Sequence, residues 1–184
     1  TPDPEMADVF DGNVSMTDPI GDLSRGSGIA GASRSDGFSS NGFSTSTTDF
    51  AGALSDGDFY SFSVAPSSGF LMNLSSLDLN FDTSSTAPHN WGLFSSVDGF
   101  SSSIDTFTAS DSGASHNLDL SDSSFNTLTS SVEFRIVGHG ASSGGGTAAF
   151  IGSGSDIVLN GVTSAIPEPS TYALIFGGLA LGVV

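Results

Sequence analysis

The strongest constraint in this 184-residue chain is a period of two. Tyr60, Phe62 and Val64 alternate with Ser61 and Ser63. Beyond the turn former Pro66-Ser-Ser-Gly69, the apolar positions Phe70, Met72 and Leu74 lead to Leu77, Leu79 and Phe81, which alternate with Asp78, Asn80 and Asp82. Successive side chains of a strand point to opposite faces, so this spacing buries one face and wets the other. It predicts a hairpin followed by a half-buried strand. The same period recurs at Trp91 and Leu93, Ile104 to Thr108, Leu118 and Leu120, Val132 to Ile136, Ala148 and Phe150, and Ile157 and Leu159. Turn formers fill the gaps, among them Asp98-Gly99, Ser112-Gly113 and Gly144-Gly-Gly146. No window before Ser170 keeps a helical period. About eight to ten short strands of this kind predict an all-β fold, an antiparallel two-layer sandwich with one core between its sheets.

Residues 1–55 are weakly patterned, with isolated apolar positions such as Val9, Val14, Leu23 and Ile29 that support one or two short strands. The sandwich is expected over 1–165, with 166–184 a separate tail. One internal echo, Asp36-Gly-Phe-Ser-Ser40 and Asp98-Gly-Phe-Ser-Ser102, predicts two similar turn-to-strand corners.

Charge removes one class of partner. Of the 20 acidic residues 17 are Asp and 3 are Glu; the cations are Arg25, Arg34 and Arg135, and the formal net charge is -17. Such a surface repels nucleic acid and anionic lipid. Low-hydrophobicity disorder is disfavoured as well, because 37% of the chain is hydrophobic and Phe occurs 15 times. No Cys is present, so no disulfide or thiolate site is available. Thr1 stands in place of an initiator Met, which leads to the expectation of a mature chain whose export signal has been removed.

The end of the sequence breaks the pattern. Pro167 and Pro169 push Ile166 and Glu168 toward extended backbone, giving a stiff spacer. Ser170 or Thr171 then caps a helix expected from Tyr172 to Val184, 13 residues without a charge. Tyr172, Leu174, Ile175, Phe176, Leu179 and Leu181 make it apolar all round, and such a helix needs lipid or protein about it. Its length of about 20 Å is short of the roughly 30 Å hydrocarbon core of a bilayer. Gly178 and Gly182, four apart, leave room for a second helix to approach closely. Neighbouring copies are therefore the expected shelter, in a fibre or layer.

Ile-Pro-Glu-Pro-Ser-Thr-Tyr-Ala-Leu at 166–174, followed by Gly-Gly-Leu-Ala-Leu-Gly at 177–182, resembles the PEP-CTERM sorting signal of exported proteins in Gram-negative, exopolysaccharide-making bacteria. The family's functional positions map to Pro167, Glu168 and Pro169; its terminal Arg cluster has no counterpart in these 184 residues. The resemblance implies handling by an exosortase, only transient membrane contact through the tail, and delivery to the outer cell surface or extracellular matrix. Asp58–Pro66, Trp91–Phe100 and Val132–Gly138 also look like recurring strands of the ectodomains that accompany such tails. Those ectodomains imply a jelly-roll-like sandwich rather than an activity, and the expected role is that of a non-enzymatic structural protein. The alternative is a carbohydrate-binding or adhesive module retained in exopolysaccharide.

Candidate chemistry is sparse. Trp91 is the residue for stacking on a sugar, although Leu93 two positions on favours the core. No cofactor is expected beyond a structural calcium, for which Asp156, just before the last strand, is the candidate ligand. His89, His116 and His139 lack metal-ligand spacing. No nucleophile elbow surrounds any Ser. Asp56 and Asp58 are the nearest approach to an acid-base pair, and Asp in a turn more often caps backbone.

Overall fold

The computed structural model describes residues 6–9, 14–16, 23–33, 37–151 and 155–167. Among them thirteen strands, numbered in chain order, form two facing sheets. The first sheet holds β1 (Met6–Val9), β4 (Ala30–Gly31), β5 (Gly37–Asn41), β7 (Phe70–Thr83), β10 (Ala114–Asp119), β12 (Ala148–Ile151) and β13 (Ile157–Ala165). The second holds β2 (Val14–Met16), β3 (Ser24–Arg25), β6 (Phe59–Pro66), β8 (Asn90–Ser95), β9 (Asp105–Thr108) and β11 (Val132–His139). The all-β sandwich is thus as expected, with more strands than the alternation alone marks.

The spine of the first sheet is β7. Leu77 lies between Leu118 of β10 and Leu159 of β13, while Phe81 lies between Ala114 of β10 and Phe150 of β12. One flank of β7 is therefore β10 and the other is β13 followed by β12. The inward apolar positions of β7 step by two except from Leu74 to Leu77. There the register passes from Asn160↔Ser76 to Gly161↔Leu74, so Ser75 is an extra residue in a β-bulge. Without it one half of the strand would turn its apolar side chains to water.

Three expectations need correction. β6 and β7 do not form a hairpin. The turn is present, with Gly69 at a φ of 85° and the Phe70 amide donating to the Ser67 carbonyl at 3.0 Å, but it carries the chain from one sheet to the other. Both strands bring their apolar faces to the core from opposite sides, and alternation specifies the face of a strand, not its partner. Next, β1 pairs with β13 in parallel, so the sandwich is mostly rather than wholly antiparallel. Finally, a helix precedes Ser170: α1 (Phe50–Asp56) begins at Asp49, whose side chain accepts from the Gly52 amide at 2.8 Å, and ends at Gly57, whose φ is 82°. Two turns are too few to display a period. This helix is held by packing rather than by its own propensity.

The echo also divides. Gly37–Asn41 is strand β5, whereas Asp98–Ser101 is a turn in which the Asp98 carboxylate accepts from the Ser101 and Ser102 amides at 3.3 and 3.0 Å.

The core joins the sheets through aromatic rings. Tyr60, Phe62 and Val64 of β6, Trp91 and Leu93 of β8, and Phe134 and Ile136 of β11 meet Leu77, Leu79 and Phe81 of β7 and Phe150 of β12. At the centre the Tyr60 ring lies 6.1 Å from that of Phe81 and 5.0 Å from that of Phe150, both edge-on. The Tyr60 hydroxyl donates to the Ala148 carbonyl at 2.9 Å, crossing from the second sheet to the first. A smaller apolar cluster covers the outer face of the second sheet, where Phe50, Ala53 and Leu54 of α1 pack on Phe94, Val137 and Phe59. Gly92 makes this fit, since a Cβ there would lie 3.0 Å from the Phe50 ring.

Tyr60→Phe keeps the ring and deletes the donor, leaving the buried Ala148 carbonyl without it. The expected loss is about 1–3 kcal/mol, read as a lower urea midpoint at unchanged slope; an unchanged midpoint would contradict this account of the centre.

Candidate functional site

Trp91 does not offer a sugar-stacking face. It is 0% exposed; its ring lies 4.7 Å from that of Phe81 and 5.7 Å from that of Phe43, and its Nε1–H donates to the Pro88 carbonyl at 2.9 Å. Gly138 opposite accommodates the indole, for a Cβ there would be 2.6 Å from it. The carbohydrate reading therefore loses its platform. Asp156 is 5% exposed and directly precedes β13, where its carbonyl accepts from the Asn80 amide at 2.9 Å. Among the described residues no three His, Cys, Asp or Glu side chains converge as a metal centre.

The three histidines occupy separate surroundings. His89 Nδ1 is 2.8 Å from the Ala109 carbonyl oxygen. His116 rests 4.3 Å from the Phe107 ring, and His139 lies 4.6 Å from Phe50. Burial holds both His116 and His139 below the ordinary imidazole value.

Asp56 and Asp58 also part company. Asp56 ends α1 and is exposed, whereas Asp58 is 1% exposed. The Asp58 amide donates to the Ala53 carbonyl at 2.9 Å, its carbonyl accepts from the Gly138 amide at 3.1 Å, and its Oδ2 accepts from the Ser44 amide at 2.7 Å. Oδ1 has no hydrogen-bond partner. This residue pins the helix, β11 and the loop at Ser44 together, which is a structural role. Burial pushes its carboxyl above the ordinary value near 3.8, with the charge of Asp56 adding and the Ser44 amide opposing.

Of the sorting motif, Pro167 is the last described residue and is exposed. Glu168, Pro169 and the assembly positions Tyr172, Leu174, Ile175, Phe176, Gly178, Leu179, Leu181 and Gly182 lie outside the described residues. The chain leaves the sandwich from β13, where the Ile166 amide donates to the Gly69 carbonyl at 2.8 Å. Val162 and Ile166, 62% and 43% exposed, lie near this exit.

The feature that sequence reasoning missed is on the outer face of the first sheet. Register sets Ser115 and Asn117 of β10 beside Asn80 and Asp78 of β7, and Val158 and Asn160 of β13 beside Asp78 and Ser76. Asp78 is the hub: Asn117 Nδ2 donates to its Oδ1 at 2.5 Å and Asn160 Nδ2 donates to its Oδ2 at 2.8 Å. Asn160 Nδ2 also donates to Ser76 Oγ at 3.1 Å, and Ser115 Oγ donates to Asn80 Oδ1 at 2.6 Å. A groove of about 320 Å³ is lined by Asp78, Asn80, Ser115, Asn117, Ser155 and Val158 together with Leu79 and His116. In the sequence these are simply the polar half of each alternation. Their one signal is that short Asn, Asp and Ser fill outward positions where Lys, Glu or Thr are commoner on a wet sheet face.

Comparison with known proteins finds no matching family model and no matching curated protein.

A carboxyl raised in the folded state adds stability that is complete below its unfolded value and lost as pH rises through the folded one. Asp58→Asn removes that dependence. The stability difference between variant and wild type is thus expected to move in the variant's favour as pH rises from about 4 toward 7, measured by urea denaturation across that range; a constant difference would show that Asp58 is not desolvated.

Proposed function

We propose that the protein is a non-enzymatic structural subunit of the outer cell surface or extracellular matrix of a Gram-negative bacterium. Its apolar C-terminal segment joins further copies into a fibre or layer after an exosortase has handled the Pro-Glu-Pro motif. In this reading the sandwich is jelly-roll-like, membrane contact is transient, and the formal charge of -17 keeps assemblies apart from one another and in solution.

The observation that carries the reading is the junction at Ala165. The described residues pair thirteen strands and pack one core between two sheets, and immediately beyond β13 the sequence turns to Pro-Glu-Pro and 13 uncharged residues. The core among the described residues runs from Leu23 to Leu159, which supports giving that segment to contacts with other molecules.

Electron microscopy and sedimentation of the full chain, beside a chain ending at Pro167, test this. Fibres or sheets from the first and monomers from the second are expected. Monodisperse particles of monomer mass from both, at high concentration, would overturn the proposal.

A further inference from the structure

We infer that the outer face of the first sheet, centred on Asp78, binds neutral polysaccharide through its hydroxyl groups. This inference is independent of the assembly reading, because it uses only described residues on β7, β10 and β13.

The face is preorganised. Its polar groups are short, with at most two side-chain torsions each, and the hydrogen bonds of Asn117 and Asn160 to Asp78, and of Ser115 to Asn80, hold them in place. Little side-chain freedom is then left to lose on binding. It is also anchored underneath, since β7 runs between β10 and β13 and its Leu77 and Leu79 are core residues.

Its chemistry is mixed. The Asp78 carboxylate accepts one amide bond at each oxygen and retains further lone pairs; Asn117 retains its second N–H and its Oδ1, and Asn160 retains its Oδ1. Acceptors and donors thus alternate across strands about 4.8 Å apart. A sugar hydroxyl both donates and accepts, so a row of hydroxyls on a polymer satisfies such an array where a purely anionic or purely cationic ligand does not. The groove of about 320 Å³ is lined from all three strands, β7, β10 and β13, and so offers contacts to successive units of an extended chain.

Other ligand classes fit worse. Phosphate, nucleic acid and uronate polymers meet Asp78 and the neighbouring Asp119 in a chain of formal charge -17. A protein partner would find no Trp, Tyr, Phe or Arg in the groove lining to serve as an anchor; its apolar lining is Val158 and the core residue Leu79, with the half-buried His116 beside them. The aromatic residue that the sequence offered for sugar recognition, Trp91, is in the core. Recognition here rests on hydroxyl hydrogen bonds without stacking.

The test is affinity electrophoresis of the full chain in native gels containing a β-glucan, a mannan, a galactan or a dextran, with alginate as the anionic comparison; a printed array of the same polymers serves assemblies too large to enter a gel. Retardation by at least one neutral polymer and none by alginate is expected. Asp78→Asn and the separate Asn117→Ala, Ser115→Ala double variant should each weaken binding at least about tenfold at unchanged melting temperature. Thr106→Ala on the other sheet should leave binding intact. Because Ser115 and Asn117 are exposed, the double variant remains informative if Asp78→Asn does not fold. Retardation by no neutral polymer, retardation by alginate alone, or full binding by a folded double variant would overturn the inference.

Discussion

The hydrogen bond from the Tyr60 hydroxyl to the Ala148 carbonyl is the point on which the two sheets are fixed relative to each other. Apolar packing between sheets is non-directional and tolerates sliding. A buried hydroxyl bonded to the opposite sheet does not, because displacement would break that bond at a cost of about 1–3 kcal/mol. Burial pushes the Tyr60 hydroxyl far above its ordinary value, so it stays protonated and remains a donor. Phe81, Trp91 and Phe150 pack around it, and the Trp91 N–H finds the Pro88 carbonyl in the same way. Each large aromatic residue with a polar atom at this centre has that atom paired. Once the inner faces are set so, the outer faces follow by alternation: that of the second sheet is apolar around Phe94 and Val137 and takes a helix, while that of the first carries the Asp78 array.

A chain with three cations and 20 acids cannot be held together by ion pairs. The two described arginines, Arg25 and Arg135, are used for stacking. Arg25 lies 3.5 Å over the Phe38 ring, and Arg135 lies 3.8 Å from Phe100 and 4.5 Å from Phe59 while its Nε donates to Glu133 at 2.8 Å. Phe100 reaches that position from a left-handed φ of 61°, a conformation that costs a non-glycine residue about 1–2 kcal/mol. The acids serve mainly as acceptors for backbone and Ser hydroxyls. The Ser121 hydroxyl and amide hold Asp119 below the ordinary carboxylate value, and the Ser124 amide and hydroxyl do the same for Asp122. At Asp98 slight burial works in the opposite direction, but the Ser101 hydroxyl and the amides of Phe100, Ser101 and Ser102 prevail. Abundant Ser beside Asp is therefore a means of placing negative charge in turns without countercharge.

How much of this is legible in the sequence depends on the range of the interaction. Period two is a local property, and it marked β6, β7, β11 and the core positions on them. The three-residue step from Leu74 to Leu77 even carries the bulge at Ser75. Pairing is not local: nothing in residues 59–83 says that β6 and β7 enter different sheets, nor that Met6 lies beside Ile157. α1 is written only in its caps, Asp49 and Gly57, because seven residues are too few for a period. The Asp78 array is the extreme case, since its members are up to 84 residues apart and become a site only through register. Trp91 shows the opposite error, in which a residue type suited to sugar stacking has the stronger claim of the core upon it.

Both proposals, an assembling tail and a hydroxyl-binding face, need the sandwich to be self-sufficient. Amide hydrogen exchange by mass spectrometry on the full chain and on a chain ending at Pro167 measures this directly. The account expects the same protection of Phe59–Pro66, Val132–His139 and Leu77–Thr83 in both. Loss of protection along those strands when the tail is absent would contradict it, placing the apolar terminus inside the fold of its own subunit.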